Sequence, residues 1–241
     1  MQVAGRVVSL YVYPVKACRA VAVEDAALGP LGLEHDRRFA FIGEDGCALT
    51  QREHPLLATV QAVLGKDALR LDFGSLAQVN IPLKSFVTSI PVDVWGKRIA
   101  GRAAPASLVA PATDYLGTRL QLIALDAAEE RSFADSRPVL VTTTGMLARL
   151  DIPDIGMERF RPNVVLEGVR DWTALEGKDV LLERDKPCGR CEVTTIDQMS
   201  GERRGPEPLR TLTKRFDGNF GVYCRVARGG RLRRGEILRA S

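Results

Sequence analysis

The chain has 241 residues, 45% hydrophobic and 27% charged, the balance of an ordinary globular protein with room for one large domain or two small ones. Thirty-four basic residues against thirty acidic ones leave a net charge of +4, too small an excess to argue for nucleic-acid binding. No run approaches the ~18 apolar residues of a membrane-spanning helix. Five cysteines, an odd and sparse set, argue against a disulfide framework, and no charged leader precedes a long apolar run, so a reducing, cytoplasmic setting is expected.

Val3, Val7, Leu10, Val12 and Val15 read as an opening strand. Gly29, Pro30 and Gly32 supply turn chemistry, residues 38–42 read as a strand, and Glu44, Asp45 and Gly46 form a turn with 47–50 as the second arm of a hairpin. Between 56 and 100, short apolar runs such as 69–73 and 92–96 predict a β-rich unit. Residues 103–116 suit a helix, 120–123 a strand, 127–137 a polar loop, 138–143 a strand and 144–150 a helix. The β pattern resumes at 164–168 and 180–183, and Gly221, Gly229, Gly230 and Gly235 punctuate short strands from 220 to 238. The expected class is mainly β (α+β) with a few short helices, divided into residues 1–117 and 118–241.

The strongest local signal for chemistry is Cys188-Gly189-Arg190-Cys191. Such a pair suits half a zinc site, a redox dithiol, or a single thiolate ligand beside a turn. Zinc is short of ligands, because no second Cys-x-x-Cys exists and His35 and His54 are the only histidines. A dithiol of the thioredoxin kind starts a helix at its first cysteine, whereas Val193, Thr194, Thr195 and Ile196 are β-branched and favour a strand. That leaves one thiolate at a loop–strand junction, favoured by the Arg190 guanidinium, with two inert thiols in a turn as the bland alternative. Cys47 and Cys224 read as ordinary buried cysteines. Lys16, Arg19, Arg37 and Arg161 sit at element ends, where side chains line clefts and guanidinium forks suit phosphate oxygens. Each alone is equally a solvated surface charge; the meaning lies in whether they converge.

Tyr13-Pro14-Val15-Lys16-Ala17-Cys18-Arg19, Gly32-Leu33-Glu34-His35-Asp36-Arg37 and Thr50-Gln51-Arg52 resemble the N-terminal β-barrel domain that precedes MOSC domains. Phe160-Arg161-Pro162-Asn163-Val164-Val165, Cys188-Gly189-Arg190-Cys191, Thr194-Thr195-Ile196-Asp197 and Pro206-Glu207-Pro208-Leu209 resemble the MOSC domain itself, a second β-barrel. The motifs follow the family's order and cover nearly the whole chain. The resemblance implies an enzyme similar to the amidoxime-reducing components, which reduce N–OH to N–H at a molybdenum cofactor (Mo-molybdopterin). It implies Cys191 as the molybdenum-ligating thiolate and Asp135 facing the metal's solvent ligand. Lys16, Arg37 and Arg161 fall to the pterin and phosphate, Gly189 and Arg190 to the adjoining loop, and Ser136 to a further cofactor contact, with Arg19 and Asn163 also among the cofactor-binding residues.

Ala17 departs from the serine common in the first motif, which removes a hydroxyl donor. With neither a ferredoxin-like extension nor a membrane anchor expected, electrons would come from a separate protein of the ferredoxin, flavin reductase or b-type cytochrome class. The implied partners are that donor and a small N-hydroxylated substrate, with no nucleic acid and no membrane span. The rival reading is a non-catalytic carrier of the cofactor or of sulfur, with a persulfide on Cys191; a family member that binds no metal is a third.

Overall fold

The computed structural model describes residues 2–93, 96, 98–126, 129–168 and 172–240. Val94 and Trp95 of the strand expected over 92–96, and residues 127 and 128 of the expected polar loop, lie outside the described residues. Strand β1 (Gln2–Val12) is followed by β2 (Val21–Val23), β3 (Asp25–Gly29), β4 (Gly32–Leu33) and β5 (Phe39–Gly43). Strands β6 (Gln61–Leu64), β7 (Ala68–Asp72), β8 (Gln78–Pro82), β9 (Thr88–Asp93) and β10 (Arg98–Ala103) lead to helix α1 (Ala106–Leu116) and β11 (Leu120–Leu125). Then come β12 (Val139–Thr143), α2 (Thr144–Ala148), β13 (Val164–Glu167), β14 (Ala174–Glu176) and β15 (Leu181–Gly189). Helix α3 (Leu209–Arg215), β16 (Asn219–Arg228), β17 (Gly230–Arg233) and β18 (Ile237–Ala240) complete the chain. The class is mainly β with short helices, as expected.

Strands β13-β12-β16-β15-β14-β18-β1 pair in that order, and β13 returns onto β1 to close a seven-strand barrel, with β2 attached outside on β1. Closure leaves no open edge, and the interior is filled by side chains including Val7, Leu10, Val141, Val164, Leu182, Val222 and Leu238. Strand β1 serves three neighbours, pairing with β18 near its start, with β13 further on and with β2 at its end. Val7 and Leu10 are three residues apart and would face opposite sides of a regular strand. A register shift between Val7 and Ser9 resets the alternation, so both are buried.

The other sheets are β5-β11-β10-β9, the meander β6-β7-β8, and β17-β3-β4. Phe39 and Phe41 of β5 and the meander's Leu69 and Ile81 pack with Leu57 and Phe73 against Val109, Ala112 and Leu116 of α1, whereas Ala26, Leu28, Leu33 and Leu232 of β17-β3-β4 join the barrel core. Helix α1 begins at 106 rather than 103 because Ala103 still pairs with Ile123 and Thr88 in the sheet. Gly117, left-handed at φ 64°, ends it. The hairpin arm expected over 47–50 shrinks to one bridge, Ala48 to Ile42. Strand β16 runs for ten residues, where short strands were expected; Gly221 (φ 85°) bends it without breaking it.

Strand β1 lies in the barrel with strands from 139 onward, and β11 completes the sheet of β5, β9 and β10.

Candidate functional site

A cleft of about 270 Å³ lies where the loop after β1, the turn at 50–52, the 134–137 loop and the end of β15 meet. Lys16, Arg37, Asp135, Arg161, Asn163, Gly189, Arg190 and Cys191 all line it. Three of its lining residues, Ala17 (φ 64°), Arg37 (φ 52°) and Arg161 (φ 52°), hold the left-handed backbone that non-glycine residues avoid. Strain of this kind gathers at functional sites and turns side chains where a relaxed chain would not.

Tyr13 organises the cationic wall. The guanidiniums of Arg37 and Arg161 each lie 4.5 Å from its ring centroid. Its hydroxyl donates to Pro162 O at 3.0 Å, and its backbone N–H donates to Asp36 Oδ1 at 2.8 Å. Arg37 pairs with the buried Asp36. Burial works against the Arg37 charge, but Asp36 and then Tyr13 outweigh it, and its pKa rises. For Arg161 burial prevails, reinforced by the neighbouring Arg37, and its pKa falls. Burial also pushes the Cys18 thiol up to about 12, against the pull of Arg161, which leaves it inert beside the cleft.

Lys16 donates from Nζ to Phe133 O at 3.0 Å and to the Asp135 carboxylate. Burial lowers the Lys16 pKa, with Asp135 opposing. Enclosure within the cleft pushes the Asp135 carboxyl up; Lys16, with Arg37 and Arg161 behind it, reverses this and holds it below the usual carboxylate range.

Asn163 lines the cleft, where its Oδ1 accepts from Arg37 Nη1 at 3.4 Å, and its amide also bonds to the scaffold. Its Oδ1 accepts from Leu140 N at 3.1 Å and its Nδ2 donates to Tyr11 O at 3.2 Å, tying β12 to β1. Arg19 and Ser136 do not line the cleft. Arg19 lies beyond the left-handed Ala17 and donates to Met199 Sδ, and Ser136 lines a neighbouring cavity with Pro30, Arg131 and Arg225.

The stretch after Cys191 is a 3₁₀ turn, Glu192–Thr195, not the strand that its β-branched residues suggest. Thr194 Oγ1 donates to Cys191 O at 2.9 Å and Thr195 Oγ1 to Glu192 O at 2.7 Å, so the hydroxyls stabilise a turn. Cys191 is exposed at its start and Cys188 is buried. The Arg190 guanidinium, expected to assist a metal-binding thiolate, instead donates from Nη1 to Cys188 Sγ at 2.9 Å and from Nη2 to Phe160 O at 2.8 Å. For Tyr223, on the cleft wall, burial first, and then the neighbouring Cys188 sulfur, raise the phenol pKa.

Gln198 escaped the motifs. It forms a reciprocal amide pair with buried Gln51 (Nε2 to Oε1 at 2.9 and 3.1 Å) and accepts from Arg161 Nη1 at 3.2 Å. Gln51 also donates to Ala17 O at 2.6 Å. No local pattern marks a glutamine whose partner lies 147 positions away.

The donor set is chemically one-sided. Lys16, Arg37, Arg52, Arg137, Arg161 and Arg190 line the cleft, and Asp135 is the carboxylate among the lining residues. Arg161 and Arg190 form no salt bridge with a described carboxylate, and Arg190 Nε is buried with no hydrogen-bond partner. Such a surplus suits a polyanion. Among the described residues no three His, Cys, Asp or Glu side chains gather to hold a bare ion. A single exposed thiolate amid cations instead fits a metal that arrives with ligands of its own.

Fold and cleft together define a two-part β protein built around an anion-accepting pocket with one accessible cysteine. Residues 4–119 match the MOSC N-terminal beta barrel domain and residues 128–239 the MOSC domain, so the chain belongs to the MOSC domain proteins. It is 29% identical to mitochondrial amidoxime-reducing component 1 of Xenopus laevis, over 98% of this chain and 82% of that protein. It is 28% identical to mitochondrial amidoxime reducing component 2 of Bos taurus, over 98% of this chain and 83% of that protein. Molybdenum cofactor sulfurase of Anopheles gambiae is 28% identical over 92% of this chain but only 34% of its own length. The relatives tie the family to molybdenum-cofactor-associated function.

Proposed function

We propose that this chain binds molybdenum cofactor in the cleft through Cys191 and reduces N-hydroxylated substrates, drawing electrons from a separate redox protein. The observation that carries the reading is the meeting of an exposed cysteine with a surplus of cations in one cleft. When bound, the cofactor supplies the two-electron redox chemistry. The net reaction takes two electrons and two protons and releases the N–OH oxygen as water.

The chain's own residues do the rest. Arg37 and Arg161, braced on Tyr13, offer fixed guanidinium forks to phosphate and pterin oxygens. Lys16 and Asp135 hold a proton at the cleft mouth, between Nζ and Oδ1, where the exposed carboxylate can exchange it with solvent. Asn163 acts indirectly, by fixing β12 against β1. Among the described residues no helix is long and apolar enough to cross a membrane.

The test is expression in a host that makes the cofactor, with molybdenum and oxidised-pterin fluorescence measured beside steady-state amidoxime reduction from an artificial donor. Wild type should hold both near stoichiometrically and turn over; Cys191→Ser should lose the metal and the activity and keep its fold. Turnover near wild-type level in Cys191→Ser removes the mechanism. The carrier reading draws support from the sulfurase relative and from the accessibility of Cys191. Stoichiometric release of cofactor to an apo-enzyme, without turnover, would favour it.

A further inference from the structure

The cysteine pair is split in the fold. Cys191 is exposed on the cleft, whereas Cys188 is 1% accessible and absent from the cleft lining. A buried thiol beside an exposed one is ill placed for dithiol exchange, which needs access to both sulfurs.

The Cys188 sulfur is nonetheless engaged. Arg190 Nη1 donates to it at 2.9 Å. The same guanidinium donates from Nη2 to Phe160 O at 2.8 Å and lies 5.8 Å over the Phe160 ring, itself stacked on Phe220 at 3.7 Å. The arginine's backbone N–H is tied to Gly218 O at 2.8 Å. Two anchors on the two terminal nitrogens fix the plane of a rigid fork. Without the sulfur, one carbonyl bond remains and the guanidinium can swing about it.

We propose that Cys188 is a positioning residue: its buried sulfur fixes the Arg190 guanidinium on the cleft wall beside Cys191, and so governs how firmly the cleft retains an anionic cofactor. This rests on the reading of the cleft as a cofactor site. It gives the first cysteine of the motif a purpose that requires neither zinc nor a disulfide. Acceptor capacity at this position, rather than thiol reactivity, is what matters.

The experiment compares wild type, Cys188→Ala, Cys188→Ser, Arg190→Ala and the Cys188→Ala/Arg190→Ala double variant, each as the full chain from a cofactor-producing host. The readouts are the rate of molybdenum and pterin loss on dialysis, and the thermal midpoint. Removing one hydrogen bond to a charged group should speed loss about tenfold in Cys188→Ala, while Cys188→Ser, which keeps an acceptor, stays within about threefold of wild type. Arg190→Ala should match Cys188→Ala, and the double variant should be no faster than Arg190→Ala alone. Wild-type retention in Cys188→Ala, or additive losses in the double variant, would overturn the proposal. If the alanine variant does not fold, Cys188→Ser decides: loss as fast as in Arg190→Ala sinks the idea, and retention near wild type supports it. A wild type carrying neither molybdenum nor pterin removes the functional reading itself, and the proposal with it.

Discussion

Lys16 and Asp135 stand 119 positions apart in the chain and meet as an ion pair across the cleft. The lysine side chain is 9% accessible and the carboxylate 64%. The pair therefore joins a charge that cannot reach solvent to one that can. The folded Asp135 pKa lies below the ordinary carboxylate value, so its contribution to stability is full above that value and is lost as pH falls through the folded pKa. Asp135→Asn should be less stable than wild type at pH 7, by about 1 kcal/mol or less given the screening of an exposed carboxylate. The gap should narrow on acidification below about pH 4. Urea unfolding of both proteins from pH 7 to pH 3 reads this directly; a constant gap across that range would show that Asp135 contributes nothing through its charge.

The Gln51–Gln198 pair fastens the 197–204 loop to the turn beneath the cleft, with Arg203 Nη2 adding a bond to Arg52 O at 2.7 Å. Both amides are buried. Gln198→Ala leaves the Gln51 Oε1 without its donor from Gln198 and Arg161 without its Gln198 acceptor, at a cost of about 1–3 kcal/mol. For a chain of this size that is a fall in Tm of roughly 2–12 °C. A double-mutant cycle with Gln51→Ala should show the second truncation costing less than the first. Simple additivity would mean the pair is not coupled.

Which parts of this were legible in sequence follows from the range of each interaction. Strands such as β5, β7, β11 and β12 announce themselves because alternation and turn residues are local. The closure of β1 onto both β13 and β18 is not local, and neither is the Val7/Ser9 shift that permits it. Convergence of Lys16, Arg37, Arg161 and Cys191 was expected from motif resemblance and not from periodicity. The 192–195 turn went against propensity because two threonine hydroxyls bond back to the main chain, a choice that β-branching alone does not foresee. Arg19 and Ser136 miss the cleft for a related reason, since one left-handed residue or one step along a loop redirects a side chain.

Tyr13 separates two contributions to the cationic wall. Tyr13→Phe keeps the ring under Arg37 and Arg161 and loses only the bond to Pro162 O, about 1 kcal/mol. Tyr13→Leu removes the aromatic face that tolerates two like charges, and should cost several kcal/mol with the loss of packing. Inorganic phosphate should raise the Tm of wild type and the Phe variant, and do so far less for the Leu variant. Equal phosphate protection in all three would mean that the ring does not position the guanidiniums.

Gly32 sits at φ 98° with the carbonyl oxygen of Pro138 only 2.3 Å from where a Cβ would stand. A main-chain oxygen cannot rotate aside as a side chain can, so Gly32→Ala must displace either β4 or the start of β12. Gly74 is the matched control: its φ of 68° is also left-handed, but nothing lies within 4 Å of its Cβ position. Gly74→Ala should therefore cost only the conformational term, about 1–2 kcal/mol. Gly32→Ala adds overpacking of about 1–3 kcal/mol on top. The damage should also reach the cleft, because Asp36 N donates to Leu33 O at 3.0 Å and Arg37 N to Tyr13 O at 2.7 Å, so a shift in β4 carries Arg37 with it. Phosphate protection should then fall in Gly32→Ala and persist in Gly74→Ala. Equal unfolding free energies for the two variants would show that the Pro138 carbonyl yields, and that the approach of β4 to β12 is looser than this geometry requires.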